Sequence, residues 1–310
     1  MCEAEMDDTN QNGLLPLIGI VTVLFNSEDV LPGFFASLSK QEGVRYKLYV
    51  IDNSPKDAGT EMSRQFAIQY GIDATIKYNN ANVGVAKGNN QGIELAQADG
   101  CDLILLANND TEFAATTIRQ LQDALTIDGE SAATPKIMYY DAPDKLWYAG
   151  GHINAWLMRT PQYGIGDQDL GQFDNQRYVN YAPTCFMMFD AKVFEKIGLM
   201  DEQYFVYYDD TDFVWRMNQC GISIRYVPSV RVLHKVSSST GGAESAFSLY
   251  YGNRNRVYFI RKNLKGIQKA VALAYMLITR VPRLFSLRPS MASRAWRGTI
   301  EGFRLPLTVV

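Results

Sequence analysis

Leu103-Ile104-Leu105-Leu106-Ala107-Asn108-Asn109-Asp110 carries five apolar residues straight into three polar ones. An apolar run of this length suits a central strand buried on both faces of a parallel sheet. Its polar end falls where such sheets present ligand-binding groups, beyond the carboxyl ends of the strands. Hard divalent cations take oxygen ligands, and Mg2+ typically combines one or two carboxylates with substrate phosphates. Asp110 can supply such a carboxylate. A cap for a helix starting near Phe113 explains it as well.

Upstream, residues 17–25 form a second continuous apolar run, followed by the turn and helix-start signal Asn26-Ser27-Glu28. The pattern predicts helices over 30–41, 59–70, 89–98 and 114–125, alternating with strands over 47–51, 75–78 and 103–107. Strands and helices joined by short connections argue for a doubly wound α/β sheet. Residues 141–181 lose this periodicity and read as a functional loop, before a strand at 182–189 and a helix at 191–197.

Asp52 and Asn53 end the second strand, where an acid can meet a nucleobase or ribose; an Asx turn accounts for them equally. Gly84, Gly88 and Gly92 are spaced four apart. That is neither GxGxxG nor a P-loop, but it fits close packing of a loop and helix on the sheet.

Downstream, Tyr207-Tyr208-Asp209-Asp210-Thr211-Asp212-Phe213 places three acids in four positions ahead of a helix that stops at Gly221. Asp209 and Asp212 stand as N-cap to N3. Three acids exceed what one cap needs. Mutual repulsion raises their pKa values and the helix N-terminus lowers them, a balance that suits a general base. His234, one of two histidines, ends the predicted strand 222–234.

The 310 residues, 47% hydrophobic, allow one large α/β domain or one and a half. Cys2, Cys101, Cys185 and Cys220 show no CxxC spacing, which argues against a zinc site or a disulfide framework and for a reducing, cytoplasmic compartment. Residues 1–16 are polar, acidic and expected to be disordered, with no secretory signal. Residues 250–310 hold twelve Lys/Arg against one acid, Glu301, so +11 there balances −14 elsewhere. Such asymmetry points to an anionic partner. Within this tail the apolar run 270–279 is far shorter than the roughly 20 residues of a membrane span. It reads as a cationic helix lying at a headgroup surface, or as one docked on the rest of the chain.

In order, Val21-Thr22-Val23-Leu24-Phe25-Asn26-Ser27-Glu28, Ile51-Asp52-Asn53-Ser54, Asn82-Val83-Gly84-Val85-Ala86-Lys87-Gly88, Asn108-Asn109-Asp110 and Tyr207–Asp212 resemble the GT-A fold, family 2 inverting glycosyltransferases. The likeness spans roughly 17–240 and is nearest the bacterial rhamnosyl- and galactofuranosyltransferase branch. It implies a GT-A catalytic domain over 17–245, with a nucleotide-sugar-binding half (17–112) and an acceptor-binding half (113–245), followed by a basic helical segment (246–310). It places Asp52 on the base and Asn26 and Glu28 near the ribose or base. Asn53, Asn82, Gly84, Lys87, Asn108 and Asn109 complete the donor site. Asp110 holds the last position of the DxD metal motif, whose first position is here Asn108. His234 matches a metal-ligating histidine, and Asp210, beside Asp209, matches the base. Mg2+ or Mn2+ is the expected cofactor.

The expected reaction is transfer of a sugar, rhamnose favoured, from a dTDP- or UDP-linked donor to a lipid-linked cell-surface glycan. The enzyme is expected to act at the inner face of the membrane, with no nucleic-acid partner. Galactofuranosyl or other hexosyl transfer is the alternative. A glycoside hydrolase would use paired acids but leaves the strand-end acids unexplained. A non-catalytic binding protein would not need Asp110, Asp210 and His234 together.

Overall fold

The computed structural model describes residues 15–175, 177–236 and 245–308, so the expectation of disorder over 1–16 lies, as far as residue 14, outside the described residues. Four strands, β1 (Leu17–Leu24), β2 (Arg45–Asp52), β3 (Ala74–Tyr78) and β4 (Leu103–Ala107), form a parallel half. Six more follow: β5 (Thr111–Phe113), β6 (Ala132–Tyr139), β7 (Leu146–Tyr148), β8 (Tyr178–Val179), β9 (Phe186–Asp190) and β10 (Ile224–His234). They extend the sheet to β3-β2-β1-β4-β9-β6-β10-β5, with β7 on β6 and β8 on β10. Antiparallel β9 joins the two halves.

Helices α1 (Leu31–Leu38), α2 (Ala58–Tyr70), α3 (Val85–Ala98), α4 (Thr117–Thr126), α5 (Lys192–Ile197) and α6 (Asp209–Gln219) accompany the strands. Residues of β1 alternate between two cores. Ile18, Ile20 and Leu24 pack with Phe34, Phe35 and Leu121 of α1 and α4; Val21 packs with Ile93 and Ala96 of α3. A strand covered on both faces needs apolar residues at every position, which is why 17–25 reads as a continuous run.

The glycine stripe brings α3 against β1. A Cβ at Gly92 would stand 2.3 Å from a Val21 methyl, and one at Gly88 2.8 Å from Val23. Gly84 (φ 90°) turns the chain so that α3 starts at Val85, four residues before its predicted start, placing Lys87 in the first turn.

Four strands were not expected: β5, β6 and, within the 141–181 segment read as a loop, β7 and β8. Residues 111–113 pair with β10 instead of opening a helix, and α4 starts only at Thr117. Strand β6 contains Pro135 and Lys136, which hide it in the sequence. Lys136 is fully buried and pairs with Asp169 (2.9 Å) and Asp174 (2.5 Å), pinning the 141–181 segment to the sheet.

The C-terminal segment forms α7 (Ala246–Asn263), α8 (Gly266–Ser286) and α9 (Pro289–Arg304). Gly298 and Gly302 let α9 lie directly on α7: a Cβ at either would come within 2.3 Å of a backbone oxygen of α7. Among the described residues no helix is long and apolar enough to cross a membrane.

Candidate active site

The carboxyl ends of β1, β2 and β4 and the start of α3 gather the predicted donor-side residues. Asn26 is exposed at φ 50°, its N–H donating to Ser54 Oγ (2.9 Å), and Glu28 beside it is half-buried. Asp52 is fully buried, accepting from the Ser54 N–H (2.9 Å) and the Thr60 hydroxyl (2.8 Å). Its carboxylate therefore builds the Asx turn that sequence left as the alternative. Asn53 donates to Gly84 O (3.0 Å) and accepts from Asn79 (2.8 Å), joining β2 to the loop before α3. Asn82 accepts from the Gly84 N–H (3.1 Å). Lys87 is exposed and faces Glu202 (3.4 Å).

At the end of β4 the three polar residues divide their work. Asn109 is buried and donates to Val23 O (2.7 Å), tying β4 to β1. Asn108 leaves its side chain exposed, while its N–H binds Cys185 O on the approach to β9 (2.7 Å). Asp110 is buried, with an oxygen 3.2 Å from His234 Nε2. The antiparallel register of β5 and β10, which sets His234 opposite Thr111, brings them together across 124 residues of chain. The Trp147 ring stands edge-on to the imidazole, centroids 4.5 Å apart. His234 Nδ1 is buried without a hydrogen-bond partner among the described residues.

Asp209 and Asp210 begin α6. No side-chain capping bond forms there, and the N-cap is Tyr208. The expected N-cap/N3 relation of Asp209 and Asp212 is thus corrected, because the chain arrives at Tyr208 in the left-handed region (φ 66°) and Asp209 is already helical. Asp212 is fully buried and turned away from the cap, accepting from Tyr204, Arg216, Lys262 and Asn263. Asp210 accepts from the Tyr181 hydroxyl (3.0 Å) and from the N–H (2.6 Å) and hydroxyl (3.1 Å) of Thr211. Burial, with the neighbouring Asp210 charge, pushes the Asp209 carboxyl up to about 8, and burial raises Asp210 too. Burial and then the charges of Asp110 and Asp210 raise the Cys185 thiol, so both carboxylates lie within its electrostatic reach.

Tyr181 escaped sequence reasoning. It lies in the aperiodic loop, and nothing local marks a tyrosine that bonds a carboxylate 29 residues on. Of the aromatics in that loop, Tyr148 is fully buried and belongs to the core, bonded to Tyr181 O (2.8 Å), whereas Trp156 is half-exposed.

The sequence profile of the family described as "Glycosyl transferase family 2" matches residues 19–198. The chain is 26% identical over 253 residues to the low-salt glycan biosynthesis hexosyltransferase Agl10 of Haloferax volcanii, covering 79% of this chain and 76% of that protein. It is 24% identical over 303 residues to the N-acetylglucosaminyl-diphospho-decaprenol L-rhamnosyltransferase of Mycobacterium tuberculosis, covering 90% and 92%. The fold resembles the mannosyltransferase PcManGT of Pyrobaculum calidifontis, solved with GDP-Man and Mn2+. The TM-score is 0.60 at 11% identity, with 94% of this chain and 88% of that one covered.

Proposed function

The chain belongs to glycosyl transferase family 2, and from that premise we propose that it moves a sugar, rhamnose favoured, from a dTDP- or UDP-linked donor to a hydroxyl of a lipid-linked glycan, with inversion. The single observation that carries this reading is the meeting of Asp110 with His234, within reach of the same thiol as Asp210. The first pair serves the departing diphosphate and Asp210 serves the acceptor.

Asp110 and His234 fit a divalent cation, Mg2+ or Mn2+. They are a carboxylate and an imidazole 3.2 Å apart, and the imidazole has a second nitrogen that bonds to none of the described residues. Among the described residues no group of three or more His, Cys, Asp or Glu could hold a cation. Two protein ligands completed by substrate phosphates suit the hard-cation pattern. The metal when bound supplies positive charge against the leaving diphosphate. Asn108, at the first position of the DxD motif, adds an amide but no charge. The nucleoside lies between Asn26, Glu28 and the turn built by Asp52, with Asn53, Asn82, Gly84, Lys87 and Asn109 shaping the wall.

Asp210 takes the proton of the acceptor hydroxyl. The freed oxygen attacks the anomeric carbon, and the bond to the diphosphate breaks with the electron pair leaving on the nucleotide. Tyr181 fixes the carboxylate's orientation. Asp209, raised to about 8, is protonated at neutral pH and keeps a second negative charge out of the site.

An anionic, lipid-linked acceptor is supported by the arginines behind the base. Burial pushes the Tyr208 phenol up, while Arg256, Arg280 and Arg159 pull it down, which places three guanidiniums in its field. Arg256 is nine-tenths buried, donates to Leu157 O (2.7 Å) and pairs with no carboxylate among the described residues. A peripheral position at the inner membrane face is supported by α8. Ile267, Val271, Leu277 and Ile278 are exposed there at helical spacing, and Lys265 is exposed beside them.

Incubation with nucleotide-linked sugars and a polyprenyl-diphosphate glycan, followed by mass spectrometry, tests the assignment. Acceptor-dependent addition of a deoxyhexose is expected. Donor hydrolysis unaffected by acceptor would contradict it.

A further inference from the structure

Three of the four residues at 205–208, directly ahead of the base, adopt left-handed backbone: Phe205 (φ 63°), Tyr207 (φ 62°) and Tyr208 (φ 66°). Such conformations are costly for residues other than glycine and persist only where the surroundings over-determine them. The surroundings here belong to the C-terminal segment. Tyr251, Arg254, Asn255, Tyr258 and Lys262 recur at helical spacing along one face of α7. Tyr251 stacks on Phe205 (5.1 Å), and Arg254 donates to Gln203 O. Asn255, fully buried, directs its amide nitrogen at three backbone carbonyls of the strained segment: Tyr204 O (2.8 Å), Val206 O (2.7 Å) and Tyr207 O (2.9 Å). Its own carbonyl oxygen is buried without a partner among the described residues. A fold that tolerates an unsatisfied acceptor to keep that amide in place is using it for position.

We infer that Asn255 is a positioning residue for the reaction, holding segment 204–208 so that Asp210 points at the acceptor, and that α7 is thereby part of the catalytic centre. The same segment reaches the donor side. Phe205 O accepts from the Val85 N–H at the start of α3 (2.6 Å), and a Cβ on Gly84 would strike Phe205. One side chain of the tail therefore sets the relation between donor loop and base. This inference rests on Asp210 being the base.

The test is the pH profile of kcat for Asn255→Ala, beside nucleotide-diphosphate binding and thermal melting. Asp210 is faced by Tyr181, Thr211, Asp209 and Cys185, with Tyr208 and Arg159, Arg256 and Arg280 beyond it. Its carboxyl is held up chiefly by burial. Releasing the segment admits water, so the acid limb of kcat should move to lower pH, and kcat should fall on the order of 10²-fold, as for small misplacements of reacting groups. A merely structural role would lower kcat with the folded fraction and leave the limb in place, and that result would overturn the inference. Should the alanine variant not fold, Asn255→Ser, which keeps one donor, decides. The same displacement in smaller measure supports positioning, and wild-type kcat with a wild-type limb refutes it. If Asp210→Asn is itself fully active, the assignment of the base fails instead.

Discussion

Asp209 and Asp210 are neighbours in chain and chemistry, yet the proposed reaction needs them in opposite protonation states. Two buried carboxyls this close cannot both ionise cheaply, so one keeps its proton while the other remains available as a base. The sign of the effect is fixed. A folded-state value for Asp209 raised from 3.8 to about 8 means that the native state holds a proton the unfolded chain has released. Its stabilising contribution is complete below 3.8 and is lost as pH rises toward 8. Asp209→Asn should therefore melt at the same temperature as wild type near pH 4 and increasingly above it toward pH 8. Melting curves across that range check this, and a constant difference would show that Asp209 ionises normally. Asp212, three residues after Asp209, was read from sequence as its N3 partner in a helix cap. Its bonds to Lys262, Arg216, Tyr204 and Asn263 make it instead the buried anchor between α6 and α7. Asp212→Ala would leave Lys262 and Arg216 short of a buried counter-charge, at a cost of about 3–5 kcal/mol by chemical denaturation.

At the scale of elements, the parallel half was legible because β1 and β4 are buried on both faces and its helices end at Gly71 and Gly100. The glycine stripe of α3 was read correctly as a packing surface, and Gly92→Ala should cost about 1–3 kcal/mol, since the added methyl meets Val21 at 2.3 Å. Urea unfolding measures it; a loss under 0.5 kcal/mol would mean that α3 shifts freely. Strand β6 was missed because Pro135 and Lys136 violate strand composition, and only the carboxylates of Asp169 and Asp174 make a buried lysine tolerable there. Those partners lie 33 and 38 residues away, beyond any local pattern. The donor-site motifs, the acidic cluster and His234 were visible as short strings. Tyr181 and Asn255 were not, because each works through one long-range bond or a cluster of them.

Over the whole molecule, the basic tail divides. Arg254, Arg256, Arg261 and Lys262 of α7 bond inward to Gln203, Leu157, Gly302 and Leu305, Asp201 and Asp212. Their charges serve the fold, as the docked-helix alternative supposed. Lys265, Arg288, Arg294, Arg297 and Arg304 remain exposed, alongside the apolar stripe of α8 and the half-exposed Trp296 of α9. Truncation near Lys262 would strip the catalytic domain of a buried partner, so point variants are the cleaner probe. Ile267→Ser, Val271→Ser and Ile278→Ser together should abolish co-sedimentation with anionic vesicles while leaving the melting temperature within a few degrees. Wild-type binding should weaken as salt rises, because each basic residue near the surface contributes about 1 kcal/mol that is screened beyond a Debye length. Binding that ignores both salt and substitution would rule out a docking role for α8.

Asp210 is the proposed base of a sugar transfer whose donor is held elsewhere. Asp210→Asn keeps the shape and removes the basicity. Measured together, transfer should fall by roughly 10²–10⁴-fold, the usual worth of a positioned base, while affinity for the nucleotide diphosphate with Mn2+ stays unchanged. An Asp210→Asn enzyme that transfers at the wild-type rate, or one that loses nucleotide binding in step with activity, would exclude that role for Asp210.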